Sequence, residues 1–359
     1  MIKRIDFFSI LFFLRRGYYK ASKKQNKGIN FMNLVKKDDA DALKSFIEKH
    51  NFFLVIGHKE PDGDCITSCL GLAAILDYYK KDYQLLNAGP FKRNEVARYQ
   101  EKFSDTMEFL DSSERESTGL IICDCSEITR LGDIDGDLRG LDTFIIDHHK
   151  TGVLEDNMQG YINPEAPACA FLIQLFYETL VGPLSKELAE VLFFGICTDT
   201  GYFRFLGTDS APVFEAVSRL VSYGVNPKET YRLMNSGKPY STRKLVGVLL
   251  DKAERYLNGK LVVTYESLED TKSYGQDGRD SDALYQLLLA VEGVEAVVFL
   301  RQDTVTTCTA GFRSQDKIDV SAIAAKFGGG GHKNASGMSC NGKVETLIPQ
   351  IVKEFARVM

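Results

Sequence analysis

The chain has 359 residues, of which 44% are hydrophobic and 26% charged, enough apolar material for two globular domains rather than one. Its net charge of −5 at pH 7 argues against sequence-blind binding to long nucleic acid, which needs an extensive basic surface, but leaves room for a small basic pocket. Eight scattered cysteines without a CxxC pair exclude a small disulfide framework, argue against structural zinc and read as reduced core thiols of a cytoplasmic protein.

Residues 1–31 differ from the rest. Lys3, Arg4, Arg15, Arg16, Lys20, Lys23, Lys24 and Lys27 face one acid, Asp6, so this stretch carries +7 and the remainder −12. The apolar run from Phe7 to Leu14 is too short to span a bilayer, which takes about 20 residues. It ends in Arg15-Arg16 with no small-residue cleavage site, so it does not read as a signal peptide. The extension reads as an upstream misread start, the alternative being a weak membrane-surface segment, and no stable membrane association is expected.

From residue 52 strands and helices alternate. Phe52–Ile56 is an apolar run of buried-strand type, and Leu70–Tyr79 reads as a helix. Leu85-Leu86, Leu120–Ile122 and Thr143–Ile146 are further strand candidates, with helical stretches between them. The order predicts an α/β domain, a mostly parallel sheet with flanking helices. From Ala166 to about Leu257 the spacing is helical. Strands return at Lys260–Tyr265, Ala296–Leu300 and Thr304–Thr307, followed by helices near 319–327 and 343–358, as in a smaller α/β domain. The expected division is an extension over 1–31, a catalytic domain over 32–235, a helical connector over 236–258 and a second domain over 259–359.

Four segments concentrate the metal-competent side chains: His58-Lys59-Glu60-Pro61-Asp62-Gly63-Asp64, Asp124, Asp147-His148-His149, and Asp199. Pro61 is expected to hold Glu60 extended and keep this segment out of helix, so that Asp62 and Asp64 diverge from one loop. Singly, an aspartate at a strand end is a turn former or helix cap. Together, three of the five histidines and these aspartates follow successive elements of one domain, where α/β sheets place their sites. Carboxylate with imidazole and no thiolate suits Mn²⁺ or Mg²⁺ rather than structural zinc. Six candidate ligands exceed the need of one ion with an open position, but fit two ions about 3.5–4 Å apart that share a carboxylate. Another histidine, His50, has no such partners nearby and reads as surface.

These motifs resemble those of the DHH phosphoesterase superfamily. Gly328-Gly329-Gly330-Gly331-His332-Lys333-Asn334-Ala335-Ser336-Gly337 resembles the glycine-rich signature of the DHH-associated domain, and with Gly311-Phe312-Arg313-Ser314 it resembles the nanoRNase and pAp-phosphatase subgroup. The likeness covers about residues 34–359. It implies one ion held by His58, Asp62 and Asp124, and a second held by Asp64, Asp124, His148 and Asp199, most simply Mn²⁺. His149 would face the substrate phosphate, Asp147 would orient the histidine pair, and Arg204 is a weaker candidate for phosphate contact. Arg313, Ser314, Gly329, Gly330, Gly331 and His332 would bind substrate, successive glycine N–H groups forming an anion-binding concavity.

The implied reaction is hydrolysis of short oligoribonucleotides, linear dinucleotides such as pApA, or 3′-phosphoadenosine 5′-phosphate, with a homodimer left open. The rival enzyme reading is a c-di-AMP phosphodiesterase. A non-catalytic nucleotide-sensing module would require lost ligands, and none is lost. Two departures from the family pattern, Thr67 in place of glycine and Pro167-Ala168-Cys169-Ala170 in place of a Ser/Thr stretch, are expected to touch no ligand.

Overall fold

The computed structural model describes residues 34–149, 152, 154, 158–275, 279–315 and 317–359, so the extension over 1–31 lies outside the described residues. The chain divides into two compact units, the first ending at Met234 and the second beginning at Asn235. No helix among the described residues is long and apolar enough to cross a membrane.

The first unit is built on a five-stranded sheet, β1 (Phe52–Ile56), β2 (Asp82–Leu86), β3 (Thr118–Cys123), β4 (Asp142–Asp147) and β5 (Met158–Ile162), in the order β2-β1-β3-β4-β5. Every pairing is parallel. The central strands β1, β3 and β4 are apolar on both faces, which is why they read as uninterrupted hydrophobic runs. Phe53, Val55, Ile121, Cys123, Phe144 and Ile146 face a core shared with α1 (Lys37–Lys49), α2 (Gly63–Tyr78), α3 (Cys169–Leu180) and α4 (Lys186–Asp199). The alternate residues Leu54, Ile56, Leu120, Ile122 and Ile145 pack under the segment 107–141, which contains a one-turn helix over Ser112–Glu116. Helices α5 (Ala211–Ser222) and α6 (Pro227–Asn235) follow.

Because β1 has β2 on one side and β3 on the other, the strand order reverses there, and the carboxyl ends of β1 and β3 flank a topological switch point.

Three local expectations are corrected here. Helix α2 begins at Gly63, seven residues earlier than its apolar pattern suggests, because Asp62 caps it by accepting from the Cys65 N–H. Glu60 is not extended: it sits at φ 52°, and its N–H donates to Gly89 O. His50 is not on the surface but 1% exposed, packed among Phe46 and Phe53, with Nδ1 3.0 Å from Phe46 O and Nε2 3.2 Å from Asp142.

The second unit carries α7 (Tyr240–Asp251), β6 (Glu254–Tyr256), β7 (Leu261–Glu266), α8 (Leu268–Tyr274), α9 (Ser281–Leu289), β8 (Ala296–Gln302), β9 (Thr307–Ser314), α10 (Val320–Ala325), β10 (Gly330–His332), β11 (Ala335–Asn341) and α11 (Val344–Phe355). Its six-stranded sheet has the order β10-β11-β9-β8-β7-β6, with only β7 and β8 parallel. Helices α7 and α9 pack on one face through Leu245, Leu249, Leu284 and Leu288. Helices α10 and α11 pack on the other through Ile323, Leu347, Ile351 and Phe355. The strand expected at 304–307 begins only at Thr307, since Thr304–Thr306 form the turn from β8 and Asp303 N–H donates to Thr307 O. The glycine run is not an open loop: Gly330–His332 is an edge strand paired antiparallel with Ala335–Gly337.

Candidate metal centre

The acidic and imidazole groups are delivered by the ends of five different elements. His58 follows β1, Asp62 and Asp64 open α2, Asp124 follows β3, Asp147 ends β4, His148 and His149 come next, and Asp199 ends α4. Two close helix contacts bring these ends together. A Cβ at Gly63 would lie 2.6 Å from Thr198 Cγ2, and one at Gly195 would overlap Thr67 Oγ1. The bare glycines let α2 and α4 approach until Asp64 and Asp199 both lie beside His148.

Asp124 is at the centre. Only 2% exposed, it directs Oδ2 at His58 Nε2, 3.5 Å away, and Oδ1 at His148 Nε2, 3.2 Å away. Its Oδ1 is nevertheless without a hydrogen bond of acceptable geometry. The residue has φ 60°, in the left-handed region that aspartate enters more readily than most residues. His148 Nε2 also lies 3.7 Å from Asp64 Oδ2 and 3.5 Å from Asp199 Oδ2. Asp62 stands further off, 3.9 Å from His58 Nε2.

Asp64 is held from behind by backbone. Cys169 N–H donates to its Oδ2 at 2.6 Å and Ala170 N–H to its Oδ1 at 2.7 Å. These are the first two residues of α3, whose N-terminal amides favour a carboxylate. The Pro167–Ala170 stretch therefore does touch a candidate ligand, against expectation, because its contribution is main chain and carries no side-chain signal. Thr67 touches no ligand atom: its Oγ1 donates to the main-chain carbonyls of Gly63, at 2.7 Å, and Asp64, at 3.4 Å.

Asp147 accepts from His148 N–H, His149 N–H and His149 Nδ1, the last at 2.7 Å. That bond fixes the His149 ring and leaves Nε2 free to address a bound group. His58 is set by its own Nδ1 against Lys59 O, and its carbonyl accepts from Asn87 Nδ2 at 3.0 Å.

The electrostatics call for cations. Burial, then Asp124 and Asp199, push the Asp64 carboxyl well above the usual range. Burial also raises Asp199, to about 6, with Asp124 and Asp62 adding to the rise and His148 opposing it. Burial disfavours the charged form of His148, yet Asp124, Asp64 and Asp199 around it raise it to about 10. In the absence of ions the cluster thus draws in protons to relieve carboxylate repulsion. An orphaned buried carboxylate oxygen among imidazoles and further carboxylates is a donor set that fits hard divalent ions. Among the described residues three groups could each hold an ion: His58, Cys65 and Asp124; Asp124, His148 and His149; and Asp64, His148 and Asp199. Nothing in its sequence context marks Cys65, in the first turn of α2, as a ligand.

The remaining candidates lie elsewhere. Arg204 is exposed, its Nε donating to Gly201 O and its guanidinium 5.4 Å from the Phe205 ring centroid. In the second unit a cavity of about 460 Å³ is lined by Tyr285, Arg301, Gly311, Arg313, Gly330 and Gly331. Arg313 sits with its guanidinium 4.7 Å from the Tyr285 ring centroid. Ser314 is the next residue on β9 and points to the opposite face, where its hydroxyl donates to Ile318 O at 2.7 Å; that hydroxyl is committed to the core. Gly329 and the exposed His332 are not among the cavity-lining residues. Arg301, absent from the sequence-derived candidates, lines the cavity and is held by the fully buried Glu266 at 3.0 Å; Glu266 also pairs with Arg279.

Residues 52–196 match the DHH family, N-terminal domain, and residues 258–359 match the DHHA1 domain. The chain belongs to the DHH family. It is 31% identical over 309 residues to the bifunctional oligoribonuclease and PAP phosphatase NrnA of Thermus thermophilus, covering 84% of this chain and 89% of that protein. It is 28% identical to the cyclic-di-AMP phosphodiesterase PdeA of Listeria monocytogenes over 82% of this chain, which spans 45% of that longer protein. A crystal structure of an exopolyphosphatase-related protein from Bacteroides fragilis shares the fold, with a TM-score of 0.78, 23% identity and coverage of 90% of this chain and 97% of that one.

Proposed function

We propose that this chain is a divalent-metal-dependent hydrolase that cleaves short oligoribonucleotides and linear dinucleotides such as pApA to mononucleotides, and converts 3′-phosphoadenosine 5′-phosphate to AMP. The observation that carries the reading is Asp124, whose two oxygens face His58 on one side and His148 on the other at the switch point of the sheet. The similarity to NrnA along most of both chains supports the substrate class.

In this reading His58, Asp62 and Asp124 hold one ion, and Asp64, Asp124, His148 and Asp199 hold the other, with Mn²⁺ best suited to this donor set. Such ions lower the pKa of bound water and neutralise charge on the phosphoryl group. Asp147 aligns His149, and His149 Nε2 stabilises the phosphoryl oxygens or donates a proton to the departing oxygen. The Cys169 and Ala170 amides hold Asp64 in one orientation, so it need not reorganise when an ion arrives. In the second unit Arg313 and Arg301 supply the positive charge that captures a terminal phosphate, beside the backbone of Gly330 and Gly331. The free cysteines among the described residues are in keeping with a cytoplasmic location.

The similarity to PdeA favours c-di-AMP hydrolysis as the second reading. A substrate panel separates the two: 5′-phosphorylated RNA from dimer to long single strand, pApA, 3′-phosphoadenosine 5′-phosphate and c-di-AMP, each with Mn²⁺ and with chelator. The proposed function requires the dimer and pApA to turn over fastest and chelator to stop the reaction. Preference for c-di-AMP over pApA would select the second reading.

A further inference from the structure

The wall behind His58 is sulfur. Cys65 Sγ and one ligand atom from each of His58 and Asp124 lie within 4.8 Å of one another. The helix start fixes this thiol, since the Cys65 N–H is the donor that Asp62 caps, at 3.1 Å. The strand end makes room for it: a Cβ at Gly57 would overlap Cys65 Sγ and lie 3.5 Å from Cys69 Sγ. Deeper still, the side chain of Cys69 neighbours those of both Cys65 and Cys123, and all three are buried. The second partner at the site is Asp124, 2% exposed, whose Oδ2 lies 3.5 Å from His58 Nε2.

We propose that Cys65 is a further metal ligand, engaged by thiophilic divalent ions such as Zn²⁺ and Cd²⁺, which take His58, Asp62, Cys65 and Asp124 together. The proposal rests on the reading of this cluster as a divalent-cation centre. A hard ion such as Mn²⁺ uses the carboxylates and imidazole and leaves the sulfur aside, whereas thiolate selects Zn²⁺, which already outranks Mn²⁺ in intrinsic affinity. As the sulfur–metal bond forms, the thiol proton is released to solvent. Asp62, 3.9 Å from His58 Nε2, would be the fourth donor, and four protein donors are what zinc takes in closed sites that leave no position for water. The same cluster thus accepts a working ion through oxygen and nitrogen and an inhibitory one through sulfur as well. Thiophilic ions then regulate the hydrolase by occupying its own centre.

The test uses the full-length protein stripped of metal and titrated anaerobically with Co²⁺. The wild type should develop a near-ultraviolet sulfur-to-cobalt charge-transfer band. The band should be missing in Cys65→Ser and Cys65→Ala and kept in Cys69→Ser, with folding of each variant checked by circular dichroism. Zn²⁺ affinity, measured by competition with a chromophoric chelator, should fall at least about tenfold in Cys65→Ser, while Mn²⁺ affinity stays little changed. A wild type that binds Co²⁺ and Mn²⁺ without the band, or a band that survives in Cys65→Ser, overturns the sulfur assignment alone. A wild type that binds neither ion overturns the cation centre on which it rests.

Discussion

Thr67 fills the space that Gly195 leaves open. The two residues mark where α2 crosses α4, and a Cβ on Gly195 would overlap Thr67 Oγ1 and come within 2.8 Å of Ala170 Cβ. Replacing Gly195 by Ala raises helix propensity by about 1 kcal/mol, but overpacking at a buried crossing costs about 1–3 kcal/mol, so the balance is destabilising. Activity should fall with it, since the crossing sets Asp64 against Asp199. Truncating Thr67 to Ala in the same protein should recover part of both losses. Urea unfolding of the two single variants and the double variant measures the coupling; additive effects would show that the contact does not limit the approach.

Asp124→Asn keeps the shape of the side chain and removes one negative charge between His58 and His148. Mn²⁺ bound per chain should drop for both ions at once, and turnover should fall at least about a hundredfold. Metal analysis by mass spectrometry, paired with rates on pApA, checks this. Retention of one tightly held ion would mean that Asp124 serves a single ion and does not bridge.

Arg313 and Ser314 are sequence neighbours with opposite expected effects. Arg313 lines the cavity, so Arg313→Ala should lower kcat/KM on a dinucleotide by roughly ten- to a hundredfold, the loss of about 1.5–3 kcal/mol from a charged hydrogen bond. A small generic phosphodiester should feel it less. Ser314→Ala should leave substrate affinity unaltered and reduce stability by about 1 kcal/mol through the bond to Ile318 O. Kinetics on both substrates and thermal unfolding of both variants tell these roles apart, and a Ser314→Ala protein with impaired KM would contradict them.

Glu266 has 0% exposure and holds Arg301 on one oxygen while pairing with Arg279 and Thr271 through the other. Removing the carboxylate in Glu266→Ala strands two guanidiniums that are themselves 20–24% exposed, and should destabilise the second unit by about 3 kcal/mol. Because Arg301 also lines the cavity, affinity for a 5′-phosphate should weaken while metal content stays as in the wild type. An unfolding midpoint equal to that of the wild type would show that the network contributes nothing net.

What could be read from sequence follows the kind of signal each feature leaves. Strands β1, β3 and β4 are legible because burial on both faces demands unbroken apolar runs. The edge strand β5, Met-Gln-Gly-Tyr-Ile, is only half buried and passes for loop. The positions of His58, Asp124, His148 and Asp199 stood out because charged groups at the ends of apolar elements are conspicuous. The Cys169 and Ala170 amides that hold Asp64 were invisible, as every residue but proline owns such a donor. His50 misled because its partners, Phe46 and Asp142, are assembled by the fold: one is a helical turn away and the other 92 residues distant. The glycine run advertises freedom to bend, whereas pairing with Ala335–Gly337 uses Gly330–His332 as an edge strand.

The left-handed backbone of Asp124 sets folding against function at a single residue. An L side chain at φ 60° is less comfortable than glycine there by about 1–2 kcal/mol, although His58 and His148 on either side favour the carboxylate itself. Glycine at 124 would relieve that backbone burden while deleting the group on which the proposed centre turns. Selection for a relaxed backbone alone, with activity unmonitored, should therefore drift towards an inert protein at this position. Stabilising the enzyme for practical use means screening survivors for turnover as well as for melting temperature.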